Sequence, residues 1–599
     1  MDKFIQMNIK YLGIFLGIFA STFSFAQAIS HQLAMPAPQT HYFDVTTTVD
    51  LSKLKTNKGY VDFKMAAWTP GSYLIREYAK NVEQVKASLN SETVSIKKTK
   101  KNTWRVFIPT TLKAGKLAVN YQVYAYEMSV RTSFLDDSHG YINPASVFMY
   151  TDEFANASIG LKIIPHASFS KVSTAIASTD QKFTYVAKNL DEFIDSPIEI
   201  GNHQVFSFKV KGIPHQIAFY GPAKVDTTKF LKDVEKMCLT AMQVVGDHPC
   251  DHYLFIIHNL NRGGGGLEHL YSTTCQVSRA AYENENGYNG IMNLLAHEYF
   301  HLWNVKRIRP MALGPFDYEN ENYTHNLWFS EGITSYYADL LSLRAGFVSK
   351  SAYLKGLADE ISAVENTPGN KIDPVADASW DAWIKYYRPN ENSRNSSISY
   401  YDKGSVLGGV LNLWIIHHSN GKKSLDDVYK LLYETYYKKL GRGFTDSELE
   451  NAFSTVAGTS AKELFATLIY DVKTPAYAEL FEKVGYQWLD GNATKEIPFI
   501  GCSIANNRIT SVYRGGPAYQ FGLNVGDEVL KVNNENFEGM EKLLASKKIG
   551  DSILFTIKRD GLEKNYLVPV AKSPMAQFEI KPLANPSIGQ KELEKKWLD

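Results

Sequence analysis

Cysteine is scarce. Four occur in 599 residues, at positions 238, 250, 275 and 502. No two stand in a Cys-x-x-Cys spacing, so neither thiol redox chemistry nor a cysteine-built zinc site is supported. An excess of one charge is also missing. Lys and Arg number 64 against 63 Asp and Glu, a net +1, without the basic surplus that binding a phosphate backbone requires. No repeat and no low-complexity tract interrupts the chain. What remains is 44% hydrophobic and 21% charged, ordinary globular material with room for about four domains.

An apolar run near the start, residues 11–25 (YLGIFLGIFASTFSF), follows Lys3 and Lys10 and precedes Ala26, Gln27 and Ala28. It falls short of the roughly 20 residues of a spanning helix. A basic start, a short apolar centre and small residues describe a secretory signal, with cleavage expected after Ala26 or, second, after Ala28. The alternative is a membrane anchor. The periplasm is the expected destination, with the medium as the other. Export permits disulfides, so one bridge among Cys238, Cys250 and Cys275 stands beside buried free thiols as an expectation.

Periodicity divides the rest. From residue 41 to about 210, segments such as 42–49 (YFDVTTTV) and 117–126 (LAVNYQVYAY) alternate with period two, which marks half-buried antiparallel strands. From about 229 the pattern becomes helical, interrupted by an apolar strand at 253–258 (YLFIIH). Long helical patterns cover 290–305, 330–343, 351–365, 403–417 and 424–437, an α+β block. Short strands between Gly-rich turns return near 497. The expected plan is a signal (1–26), a β domain (27–210), a mostly helical domain (211–488), a small β domain (489–575) and a charged, solvated tail (576–599).

The chemistry sits in 294–304 (LLAHEYFHLWN), where His297, Glu298 and His301 form H-E-x-x-H. Histidines four apart share one face of a helix, as two imidazoles about 2.0–2.1 Å from one zinc must. Glu298 then stands beside the metal as a base for bound water. A catalytic zinc takes a third protein ligand and keeps one position open. Glu331, in 328–337 (WFSEGITSYY), is one candidate, and a helix-start carboxylate placed for the dipole is the other explanation of it. Upstream, 262–269 (RGGGGLEH) offers close backbone approach at Gly265 and Gly266 and an edge for an extended peptide, with Glu268 able to pair with a free α-amine. Downstream, a hydroxyl from Tyr401, or failing it Tyr400, can donate to an oxyanion.

Together these residues resemble the glycyl aminopeptidase family of gluzincin zinc metallopeptidases. HEYFHLWN, WFSEG, the early segment 68–76 (WTPGSYLIR) and 303–310 (WNVKRIRP) carry the resemblance over nearly the whole chain after the signal. It implies a multidomain α+β architecture: an N-terminal antiparallel β domain, a thermolysin-like catalytic domain and a C-terminal PDZ domain. It implies one zinc on His297, His301 and Glu331, Glu298 as general base, Tyr401 as transition-state donor and Glu268 as amine anchor, with Gly265, Gly266 and His269 lining the substrate. His269 departs from the Asn of the wider clan, which bears on the exopeptidase assignment. Residues 515–533 (GGPAYQFGLNVGDEVLKVN) resemble bacterial PDZ cores, and the ligand groove would follow Phe499, Ile500, Gly501 and Cys502. The expected activity is release of small N-terminal residues, Gly or Ala, from peptides with a free N-terminus, with a possible C-terminal peptide at the PDZ domain and no nucleic acid. An endopeptidase and a non-catalytic PDZ scaffold are the alternatives.

Overall fold

The computed structural model describes residues 27–112 and 114–599. The export signal expected at 1–26 lies outside them. Among the described residues no helix is long and apolar enough to cross a membrane.

Alternation builds the first domain. The strand Tyr42–Asp50 buries Phe43, Val45, Thr47 and Val49 and turns the intervening residues outward. Lys116–Tyr124 does the same with Leu117, Val119, Tyr121 and Val123. The two pair antiparallel inside an eight-stranded sheet, so the β-branched and aromatic side chains of both strands meet on one face. A four-stranded and a three-stranded sheet accompany it. One pairing departs from the antiparallel expectation: Ile29–Ala34 runs parallel to Ile159–Ile164.

The strand Gln204–Val210, expected to close this domain, instead opens the next. Lys211 and Gly212 both take positive φ, 48° and 87°, a turn that suits a tight hairpin. It folds Gln204–Val210 back onto Ile213–Tyr220. These begin a five-stranded sheet that continues through Tyr253–Leu260 and Ser272–Ser278 to Gly266–Glu268 at its edge. The two middle pairings are parallel, and the helix Thr227–Val245 supplies the crossover between Ile213–Tyr220 and Tyr253–Leu260. The helices Glu285–Phe300, Ile333–Arg344, Lys350–Glu365 and Tyr400–His418 share one core, into which Leu295, Phe300, Tyr337, Leu341 and Leu407 are buried.

Where the first two domains meet, Glu199 is fully buried between His139, 2.8 Å from one carboxylate oxygen, and His258, 2.9 Å from the other. Burial pushes this carboxyl up, but the two imidazoles more than reverse that and hold it at about 2, so the carboxylate they flank is ionised at neutral pH.

The PDZ unit is a five-stranded sheet from Cys502–Ala505 to Leu562–Pro569 around Ile509, Leu523, Val529, Ile553 and Phe555. It is tied to the catalytic domain by Asn395, whose amide donates to the Val512 carbonyl at 2.8 Å and accepts from the Arg514 N–H at 2.9 Å. The expected solvated tail is a correction. Phe578–Pro582 pairs with Tyr486–Asp490, and the helix Ile588–Leu598 buries Trp597 and Leu598 in the catalytic core. Its many charges conceal two apolar anchors. All four cysteines are free.

Candidate active site

The helix Glu285–Phe300 starts at Asn284, whose side chain accepts from the Gly287 N–H. It carries His297 in its last turn, and His301 caps its C-terminal end with helical dihedrals (φ −58°, ψ −17°). One turn apart, the two Nε2 atoms lie 3.0 Å from each other. His301 donates from Nδ1 to the Asn304 carbonyl at 2.6 Å. That bond engages Nδ1 and leaves Nε2, which faces Glu331, as the atom that would coordinate a metal.

Glu331 arrives from a different element. Trp328–Gly332 is a single π-helical turn before Ile333–Arg344, a local bulge of the kind that re-aims side chains at functional sites. The bulge requires Gly332, because a Cβ there would stand 2.6 Å from the Tyr400 carbonyl and nearer still to Gly404. Asn304 fastens the bulge to the end of the histidine helix. Its amide lies within hydrogen-bonding distance of the Phe329 and Ser330 carbonyls, Thr334 and Tyr429 at 2.9–3.2 Å. Glu331 Oε2 is thereby brought 3.2 Å from His301 Nε2 and 3.6 Å from His297 Nε2, while its Oε1 is buried without a partner. Two imidazole nitrogens and a carboxylate converge on one point, a group able to hold a metal ion. The donor set fits zinc: two neutral nitrogens and one oxygen, with room for a fourth ligand.

The electrostatics agree. Burial pushes Glu331 up, yet the neighbouring imidazoles hold it far below the usual carboxylate range. Burial opposes charge on His301, and still Glu331 and Glu268 draw its pKa up to about 10. Three buried carboxylates around two histidines favour a cation at this point. Burial raises Glu298 to about 8, with Glu268 and Glu331 adding to the rise and His301 and Arg131 opposing it.

Glu268 completes a second convergence with Glu298 and His301. It is buried, its Oε1 has no partner, and it lines the cleft of about 440 Å³ that also takes in Gly265, Gly266, His297, Glu331 and Tyr401. The cleft wall opposite comes from the β domain. Gly71, at φ +85°, packs so tightly that a Cβ there would sit 2.6 Å from both Glu268 oxygens.

The structure therefore brings together His297, Glu298, His301, Glu331, Glu268, Gly265, Gly266 and Tyr401. The Tyr401 ring lies 6.4 Å from that of His297, and burial together with Glu331 keeps its hydroxyl protonated. Tyr400 is fully buried and does not line the cleft.

His269 is a correction. Its Nδ1 lies 2.9 Å from Asp195, which also accepts from Lys306 and the Leu270 N–H. The side chain is held on the far side of the strand, because alternation puts neighbours of Glu268 on the opposite face. In the PDZ unit, Phe499, Gly501 and Cys502 border a small cavity of about 130 Å³, whereas the Ile500 side chain is buried in the domain core and only its backbone can serve a ligand. Sequence reasoning missed Arg131 and Tyr387, both in the cleft lining. Neither sits in a motif, and a lone Arg or Tyr of a β domain or a loop gives no signal.

Residues 290–407 match the M61 glycyl aminopeptidase family, 30–202 the peptidase M61 N-terminal domain and 508–559 a PDZ domain. An aminopeptidase N family protein from Idiomarina loihiensis superposes with a TM-score of 0.86 at 27% identity, over 95% of this chain and 100% of that one. An M1 zinc metallopeptidase from Deinococcus radiodurans gives a TM-score of 0.48 at 14% identity, over 75% and 94%. No curated protein sequence matches. Fold and family matches thus define a peptidase of the aminopeptidase kind. The chain carries the catalytic and N-terminal domains of the M61 glycyl aminopeptidases, followed by a PDZ domain.

Proposed function

We propose that this peptidase removes single small residues, Gly or Ala, from free peptide N-termini. Glu268 carries the reading: a buried carboxylate with an unpartnered oxygen, beside Glu298 and His301, is placed to receive an α-ammonium where a through-running chain would meet Gly71. The tight approach of Gly71 supports a small first residue.

His297, His301 and Glu331 would hold the zinc, which supplies Lewis-acid activation of water and of the scissile carbonyl. Glu298 takes the proton of the attacking water and passes it to the leaving amine. Tyr401 donates to the oxygen that gains negative charge. Glu268 fixes the register, so that one residue leaves at a time.

The PDZ unit is read as a site for a peptide C-terminus. Among the described residues its strand Cys502–Ala505 pairs only with Arg508–Val512, which leaves one edge for strand addition. Localisation in the periplasm rests on the export signal alone.

The test is a panel of Gly- and Ala-initiated peptides, free and N-acetylated, with and without a chelator. Hydrolysis of the free peptides alone, abolished by the chelator, is expected. Continued cutting of acetylated peptides would make the enzyme an endopeptidase.

A further inference from the structure

Arg131 comes from the β domain and enters the cleft. Its placement is built in. The Tyr78 hydroxyl donates to the Arg131 carbonyl at 2.6 Å, and its N–H donates to Ser129 Oγ at 3.2 Å. The neighbouring Val130 is buried, and its carbonyl accepts from Tyr141 at 3.2 Å.

The guanidinium at the end of this anchored segment is nearly idle. Its Nη2 makes one long bond, 3.5 Å, to the Gly266 carbonyl, and its Nε is buried without a partner. Among the described residues it joins no ion pair, although Glu298 and Glu268 are near enough to be felt. Five donors with one weak bond, in a cleft, are an unfinished site.

The Gly266 carbonyl shows where this group lies. Gly265 O accepts from the Gln276 N–H, so the backbone of Gly265 faces the sheet. By alternation Gly266 and Glu268 point their backbone groups outward, along the open edge. Arg131 therefore occupies the line an extended substrate would follow. Gly266 and Glu268 are two residues apart, about 6.6 Å along a strand. Two residues of extended peptide cover about the same length.

We propose that Arg131 binds a substrate carboxylate, in the first instance the C-terminal carboxylate of a dipeptide whose amine is held by Glu268. This rests on the aminopeptidase reading of the same cleft and narrows its substrate class to short peptides with both ends free. The planar fork of a guanidinium matches a carboxylate bidentately. An acidic side chain offers the same chemistry and is the other source.

The experiment compares the zinc enzyme with its Arg131→Gln and Arg131→Lys variants on three pairs: Ala-Ala against Ala-Ala-amide, Ala-Asp-amide against Ala-Asn-amide, and Asp-Ala-amide against Asn-Ala-amide. For Arg131→Gln the acid-to-amide ratio of kcat/KM is expected to fall about 10- to 100-fold, carried mainly by KM, with partial recovery in Arg131→Lys. A fall confined to an Asp/Asn ratio would assign the carboxylate to a side chain instead. Ratios that stay constant, whether or not overall activity drops, would overturn the proposal.

The same ratios read as affinities by calorimetry in a Glu298→Gln background do not need turnover. Arg131-dependent preference for the free acid without any hydrolysis by wild type would retain this inference and sink the aminopeptidase reading. Hydrolysis without that preference would do the reverse.

Discussion

Gly266→Ala is a small perturbation aimed at one group. Gly266 does not adopt a positive φ, so alanine fits its backbone. The new Cβ, however, would lie 2.6 Å from Glu298 Cγ and closer still to the carboxylate. Non-bonded carbons settle at about 3.5–4.0 Å, so the side chain of Glu298 must give way by about 1 Å. It has little space, since it is 4% exposed and its Oε2 lies 3.5 Å from Thr273 Oγ1. A base displaced by 1 Å from its working position loses about 100-fold in rate, or about 2.7 kcal/mol of transition-state stabilisation. The overpacking itself costs about 1–3 kcal/mol, which a chain of this size tolerates. Gly266→Ala is thus expected to melt within a few degrees of wild type, to bind zinc fully through His297, His301 and Glu331, and to lose about two orders of magnitude in kcat. Gly264→Ala is the matched control, because a Cβ there meets nothing within 4 Å, and it is expected to be neutral. The assay is steady-state hydrolysis of a free dipeptide alongside metal content and thermal melting. A Gly266→Ala enzyme within threefold of wild-type kcat would refute the placement of Glu298 as the base. Equal losses in both variants would trace the effect to loop flexibility.

Two further expectations separate metal holding from proton transfer and test a half-buried carboxyl. Glu331→Ala should lose zinc, while Glu298→Gln should keep it and lose about 10²- to 10⁴-fold in turnover; metal analysis beside kinetics checks both, and full zinc occupancy in Glu331→Ala disqualifies that ligand. Glu360 is raised to about 8 by burial, with Asp339 adding and its hydrogen bond with Ser405 opposing. Its native carboxyl therefore keeps a proton that the unfolded chain has already released, so stability falls as pH rises from about 4.5 through 8. Glu360→Gln should remove that slope, matching wild type near pH 4.5 and exceeding it above pH 8 by at most about 4 kcal/mol; melting curves at the two pH values check this, and a constant difference would refute it.

Much of this molecule is legible in the sequence because much of it obeys local periodicity. The alternation in Tyr42–Asp50 and the i, i+4 spacing of His297 and His301 state their faces outright. What the sequence hid depends on partners distant in the chain. Gln204–Val210 reads as one more strand of the first domain, and only the hairpin at Lys211-Gly212 commits it to the second. Ile588–Leu598 reads as solvated because its charges outnumber Trp597 and Leu598, yet those two enter a core assembled from residues hundreds of positions earlier. His269 looks like part of the peptide-binding run, but Asp195 and strand alternation draw it to the opposite face.

The same distinction explains why the active site is only half visible in its own motifs. The histidines and Glu331 belong to the catalytic domain and announce themselves. The wall that faces them does not, since Gly71 and Arg131 are supplied by the β domain. Gly71 packs against the Glu268 carboxylate, and Arg131 reaches the Gly266 carbonyl; on the proposed reading these two residues bound the space for the first residues of a substrate. The motif residues can thus provide the hydrolytic chemistry, while the β domain decides how much peptide the cleft admits. Removing the β domain would then do more than destabilise the enzyme by exposing Trp68 and Tyr73, which pack into the catalytic core. On the proposed reading it would also open the end of the cleft beside Glu268 and take away Arg131, the cation proposed to bind a substrate carboxylate.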